Sequence, residues 1–171
     1  MRDHRKSLLG FSIVELVVVI AIVLILLSLV FPNIQLLVGK AEKALCISKM
    51  RGLWYSFSSY LQDGEGWPQV PSGIQIGSVQ EQEWWLNMSS EKMGLNQKAW
   101  SCPVISRSVR QTNSVSAQAC RISYLPTLFD SKPATPMLWP RMPWFTEIGN
   151  AHEGGNLSIR TDGSVCPAQD H

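Results

Sequence analysis

Charge is the first thing this sequence lacks. Residues 11–31 hold one ionisable side chain, Glu15, and two serines, Ser12 and Ser28. A soluble helix normally keeps a polar face, so this emptiness excludes an ordinary surface helix there. Chemistry-bearing motifs are missing too. There is no Gly-x-Ser-x-Gly elbow, no Gly-rich phosphate loop and no His-Glu-x-x-His, which removes the usual sequence signals of catalysis. Of three histidines, His4 stands near the start and His171 is last, leaving His152 as the one placed for a base. No Cys-x2-Cys spacing exists and the histidines are far from the cysteines in sequence, so no metal or other cofactor is expected. A formal net charge of +2 with no basic block argues against direct nucleic-acid binding. Repeats and low-complexity tracts are also absent. The expectation is a protein that is not an enzyme.

What is present is the apolar run itself. As a helix, the 21 residues 11–31 cover about 31 Å at 1.5 Å per residue, close to the roughly 30 Å hydrocarbon core of a bilayer. Arg2, Arg5 and Lys6 precede the run and outweigh Asp3, whereas the first cations beyond it are Lys40 and Lys43. That asymmetry puts the N-terminus in the cytoplasm and the rest outside. A cleavable secretory signal would end in a small-x-small site. Here the run ends Leu29-Val30-Phe31-Pro32-Asn33. A carboxylate in such a span costs roughly 2.5–3.5 kcal/mol at its centre and less near the interface. Glu15 is therefore expected either to reach the headgroups or to have a partner.

The stretch Gly10-Phe11-Ser12-Ile13-Val14-Glu15-Leu16, behind a basic leader and ahead of Pro32, resembles the type IV prepilin signature. The resemblance implies a leader of residues 1–10 cut by prepilin peptidase between Gly10 and Phe11, with N-methylation of Phe11. It implies that Glu15 pairs with the N-terminal amine of a neighbouring subunit during filament assembly. Pro32 falls where the family carries a helix-kinking proline, and an internal proline removes a helical hydrogen bond. Removing the leader leaves 12 cations and 12 anions, so the mature chain is neutral.

The helix is expected to continue past the apolar run, over residues 32–62. Cys46, Met50, Leu53, Phe57, Tyr60 and Leu61 recur at helical spacing and form one stripe. Lys49, Arg51, Ser56, Ser58, Ser59 and Gln62 fall largely elsewhere. Asp63-Gly64-Glu65-Gly66-Trp67-Pro68 ends the helix. Residues 63–171 are long enough for one small globular domain. Within it, 70–79 reads as loop with one short strand, 80–95 holds a short helix, and 101–116 is polar with scattered valines. Residues 121–125 alternate as a strand does, and 130–143, with four prolines, reads as an irregular loop. Asp162-Gly163 is a two-residue hairpin signal, pairing 156–160 with 164–166. The fold class is α+β and pilin-like, a long N-terminal helix packed on a small domain with an antiparallel hairpin or small sheet.

His152, nine further residues and Asp162-Gly163 resemble the His-x9-Asp-Gly motif of a bacterial prepilin-like subfamily. A functional reading makes His152 a ligand with Glu153 or Asp162. The structural reading, which we favour, has His152 capping or bonding the hairpin, with Gly163 shaping its turn. The cysteines at 46, 102, 120 and 166 allow three pairings in an oxidising compartment. The subfamily resemblance points to Cys46–Cys102 with Cys120–Cys166; the rival is Cys102–Cys120 with Cys46–Cys166. Seven tryptophans are many for this length. Trp84, Trp85, Trp139 and Trp144 offer a sugar-binding platform on one reading and core packing on the other, which we favour.

Taken with these residues, the resemblance implies an inner-membrane, single-pass precursor with its C-terminal domain in the periplasm. It would become a structural subunit of a type II secretion pseudopilus. Its partners would be prepilin peptidase, other pilin or pseudopilin subunits and the inner-membrane assembly platform. The alternatives are a subunit of a type IV pilus, or a membrane-tethered periplasmic binding module that does not polymerise.

Overall fold

A computed structural model describes residues 12–112, 121–149, 152 and 154–168; at 30, 32, 33, 35, 36 and 108–112 only the backbone is described. Cys120, Glu153 and the Gly10-Phe11 junction lie outside that set. The chain divides into two compact units, Met1–Lys40 and Ala41–His171.

The first helix, α1, is assigned over Ile13–Gln62. In the first unit the large apolar side chains described are exposed on every side, from 81% at Ile13 to 42% at Ile34. Among the described residues no helix is long and apolar enough to cross a membrane.

In the second unit α1 buries one stripe. Cys46, Met50, Leu53, Phe57 and Leu61 are buried, while Tyr60 is half-buried at the edge. Ser58, expected on the polar side, is buried with the stripe. The helix stops as Gly64 turns left-handed, at φ +85°. The next glycine is constrained by space, because a side chain on Gly66 would run into the backbone carbonyl of Ser131. No strand forms over 70–79: the backbone makes turns as far as Ser78, and Val79 opens the next helix.

Helix α2, Val79–Met93, begins at Ser78, whose hydroxyl accepts from the Glu81 N–H. Glu81 answers by accepting from the Gly77 N–H at 2.5 Å and the Trp85 indole at 3.4 Å. This Ser-x-x-Glu arrangement is a capping box shifted by one residue. Gly94, at φ +67°, closes the C-terminus by donating to Ser89 and Ser90 carbonyls. A 3-10 turn, Gln97–Trp100, follows. Lys49 of α1 donates to the Lys98 and Ser101 carbonyls at 2.9 and 2.7 Å and so ties this segment down. Burial and the nearby Lys98 hold its pKa below the ordinary lysine value.

The polar stretch from 101 contains a helix, α3, Pro103–Thr112, with proline at its first position, where no N–H is needed. The 130–143 loop carries one helical turn, α4, Thr135–Leu138. The sheet is an antiparallel meander, β1 Tyr124–Pro126, β2 Phe145–Glu147, β3 Leu157–Ile159 and β4 Val165–Pro167, in that order. β1 begins later than the alternation of 121–125 suggests: the Ser123 N–H donates to the Trp100 carbonyl, and pairing with β2 starts at Tyr124 opposite Glu147.

The β3–β4 hairpin forms with Ser158 opposite Cys166. Its turn differs from the expected two-residue type. Gly163 N–H donates to Arg160 O, Arg160 N–H donates to Ser164 O, and Gly163 sits at φ +76°. Three residues, Thr161 to Gly163, therefore form the loop, a β-turn followed by a left-handed glycine.

Phe57 is the hub of the core. Its ring lies 4.9 Å from Phe145, 5.2 Å from Trp67, 6.0 Å from Trp100 and 6.3 Å from Trp85. Trp144 adds a contact to Trp67 at 5.5 Å. The pairs of Phe57 with Phe145 and Trp100, and of Trp67 with Trp144, are edge-to-face, an arrangement that contributes beyond its buried area. Four tryptophans are thus core, while Trp139 is exposed and Trp84 half-buried. The four aromatics of the sugar-platform reading do not share one surface.

Candidate functional site

Four separate segments send a buried polar or sulfur-bearing side chain to one place. Cys46 comes from the α1 stripe. Cys102 precedes Pro103, and its carbonyl accepts from Ser106 N–H as α3 begins. Glu147 ends β2 opposite Tyr124. His152 lies between β2 and β3. Cys46, Cys102 and Glu147 have no exposed surface, and His152 is 8% exposed. One sulfur, one ring nitrogen or one carboxylate oxygen from each falls within 4.8 Å of the others.

Cys46 and Cys102 form a disulfide, with Cα atoms 5.5 Å apart. This is the first of the two expected pairings as far as the described residues reach, and it excludes Cys46–Cys166 and Cys102–Cys120. Cys166 instead lies 3.4 Å from the Ser158 hydroxyl. Beside the disulfide, His152 Nε2 is 3.2 Å from Glu147 Oε1 and 3.7 Å from Cys102 Sγ. The second carboxylate oxygen accepts from the Leu157 N–H at 3.3 Å.

Burial pushes the Glu147 carboxyl above the ordinary range, against the opposing pull of His152, the Leu157 amide and Lys43. The Tyr124 phenol is raised by its own burial and by the Glu147 charge. Its hydroxyl donates to the Cys46 carbonyl at 3.4 Å. The cluster is therefore an acid, a base and two sulfurs in a dry setting, where each interaction is stronger than in water.

His152 does not bond the hairpin, contrary to the favoured reading. Its ring turns to Glu147, while its carbonyl accepts from Gly155 N–H in the loop. Asp162 lies in the hairpin turn, accepting from Ser164 N–H at 2.8 Å. The two ends of the His-x9-Asp-Gly spacing thus do separate jobs. Glu147 is the residue that sequence reasoning missed. Period-two alternation in Phe145-Thr146-Glu147 places it on the buried side with Phe145, and a carboxylate there is a signal in itself. Distance along the chain also misled, since His152 reaches a cysteine fifty positions away.

No known family profile and no solved structure matches the chain. One curated relative is similar. Over 72 residues the chain is 35% identical to the type II secretion system core protein G of Klebsiella michiganensis, a match covering 42% of this chain and 51% of that protein. The chain thus spans about half the length of that relative.

Proposed function

We propose that this chain is a pseudopilin, a structural subunit that prepilin peptidase trims and that assembles with like subunits into a periplasmic type II secretion filament. One observation carries the reading: between Ile13 and Leu29, α1 is apolar and exposed on all sides, with Glu15 the one charge in that stretch. Such a surface is covered by something outside the chain, and a bilayer followed by neighbouring subunits covers it in turn. The partial similarity to a type II secretion core protein supports the same reading and favours secretion over an extracellular pilus.

On this proposal the precursor is a single-pass inner-membrane protein with its N-terminus in the cytoplasm. Cutting between Gly10 and Phe11 creates a positive amine on Phe11, which is then methylated. Burying that amine in a filament requires an opposite charge, and Glu15 supplies it to the adjacent subunit. The assembly platform of the inner membrane is the further partner. The subunit is structural and carries out no catalysis.

The test is intact-mass and N-terminal analysis of protein from cells that make the secretion machinery, with electron microscopy of sheared filaments. A chain beginning at methylated Phe11 and found in filaments is expected. A native chain beginning at Met1, or beyond Phe31, overturns the peptidase step. Correctly trimmed protein that never forms filaments overturns the subunit role and favours the tethered binding module.

A further inference from the structure

The cluster of Cys46, Cys102, Glu147 and His152 has a geometry that a disulfide beside a carboxyl–imidazole hydrogen bond does not need. His152 Nε2 faces two groups at once, Cys102 Sγ at 3.7 Å and Glu147 Oε1 at 3.2 Å. A single ring N–H cannot serve both fully. A cation between them is held by all. With metal–sulfur bonds of about 2.3 Å and metal–nitrogen or metal–oxygen bonds of about 2.0–2.1 Å, the edges of a tetrahedral zinc site are about 3.6 Å for sulfur to nitrogen and about 3.3 Å for nitrogen to oxygen. The two observed distances fall near those edges.

We propose that the dithiol form of this cluster is a zinc site, with Cys46, Cys102, His152 and Glu147 as its four ligands. The donor set selects the ion. Two thiolates and an imidazole suit zinc, whereas calcium and magnesium require mostly oxygen. The charge is accommodated as well. Two thiolates and a carboxylate leave the zinc site at about one net negative charge, and Lys43 exerts a positive field on Glu147. All four residues are buried, so the site is closed, as structural zinc sites are.

Disulfide and zinc are alternative staples of the same four segments. Joined, the sulfurs are not anionic and do not bind the ion. An external dithiol reductant supplies two electrons and two protons, breaks the sulfur–sulfur bond and leaves as its own disulfide; the two thiols then separate to about 3.8 Å, the sulfur–sulfur edge of such a site, and each loses its proton to solvent as zinc enters. The inference stands apart from the filament role and uses none of its residues.

The experiment uses the full chain in detergent, with Cys120 and Cys166 replaced by serine so that only this pair of thiols remains. The protein is reduced with a phosphine under anaerobic conditions and titrated with cobalt, then zinc. The expected result is one equivalent of cobalt with the intense visible bands of a tetrahedral ion and a thiolate-to-cobalt charge-transfer band, displaced by one equivalent of zinc. Glu147→Gln and His152→Ala should each weaken binding by more than about tenfold, since each removes a ligand. The oxidised protein should bind neither ion.

A reduced, folded protein without the charge-transfer band overturns the proposal. So does cobalt binding that both variants leave unchanged. If reduction unfolds the domain, circular dichroism reports whether stoichiometric zinc refolds it, and failure to refold also overturns the site.

Discussion

The same helix meets opposite surroundings in the two units. Between Ile13 and Leu29 its leucines, isoleucines and valines are about half exposed or more, with Ile13 at 81%. From Cys46 to Phe57 the stripe residues have no exposed surface. Composition alone does not explain the difference, since both stretches are rich in apolar residues. The second stretch confines them to one side and meets a domain that supplies Trp67, Trp85, Trp100 and Phe145 against Phe57. The first spreads them all round, and the described residues of its own unit supply no cover. The stripe of the second unit is covered within the chain; on the proposal made above, lipid and then other subunits cover the first.

The sharpest way to break this comparison is at Glu15. Glu15→Ala should leave the melting of the second unit unchanged, because the side chain belongs to the first. Filament yield should fall by at least about tenfold at equal levels of trimmed protein, since a buried amine then loses its counter-charge, a penalty of several kcal/mol. Insertion should persist, because a costly carboxylate has gone. Wild-type filament yield from the variant would make Glu15 an interfacial residue and end its pairing role.

Truncating apolar side chains in both units sharpens the contrast. Phe57→Ala removes the hub of the aromatic core and should cost about 3–5 kcal/mol in chemical denaturation of the second unit. Leu24→Ala removes a side chain that is 61% exposed. It should leave the same denaturation curve in place while lowering filament yield. Equal destabilisation by the two substitutions would mean that the units share one cooperative core.

Much of this architecture was legible because its signals are local. The α1 stripe, the α2 segment and the β3–β4 pairing follow from periods of 3.6 and 2 and from Asp162-Gly163. Three things were not. Helix α3 was hidden because its apolar residues are few, although Pro103 is a good helix opener. The hairpin turn gained a residue because a left-handed Gly163 can also follow a β-turn. Of the Cys46, Cys102, Glu147 and His152 cluster, the resemblance reached the Cys46–Cys102 pair; that Glu147 and His152 join it was not legible, because tertiary packing brings them there and spacing along the chain carries no information about that. The Gly10-Phe11 signature gave a functional reading that lies outside the described residues.

A smaller effect is expected from Gly66→Ala in the second unit. The added methyl would meet the Ser131 carbonyl oxygen, which is backbone and cannot swing aside as a flexible side chain would. Overpacking of this kind costs typically about 1–3 kcal/mol. The equivalent change at Gly39 in the first unit meets nothing and places alanine in a helix, so it should be neutral or slightly stabilising. Thermal melts of the two variants test the contrast, and a loss at Gly39 matching that at Gly66 would show that the first unit is also tightly packed within the chain.

The smallest effect should come from Asp162. Its carboxylate accepts from the Ser164 N–H at 2.8 Å, and hydrogen bonds from Ser164 hold its pKa below the ordinary aspartate value. A depressed carboxyl pKa means the folded state prefers the ionised form. The stabilisation is therefore present above the unfolded pKa, near 4, and is lost as pH falls through the lower folded value. Asp162→Asn keeps an acceptor oxygen but no charge, so it should melt slightly lower at neutral pH and show a shallower loss on acidification. Asp162→Ala, without an acceptor, should melt lower still. The side chain is exposed, so salt should weaken the charge-dependent difference between Asp and Asn but leave the acceptor-dependent difference between Asn and Ala. Thermal melts of the wild type and both variants between about pH 3 and 7, spanning the titration of an ordinary aspartate, at low and high salt, separate the two contributions. Identical acid limbs for the wild type and the Asp162→Asn variant would show that the turn is held by its backbone and by left-handed Gly163 alone.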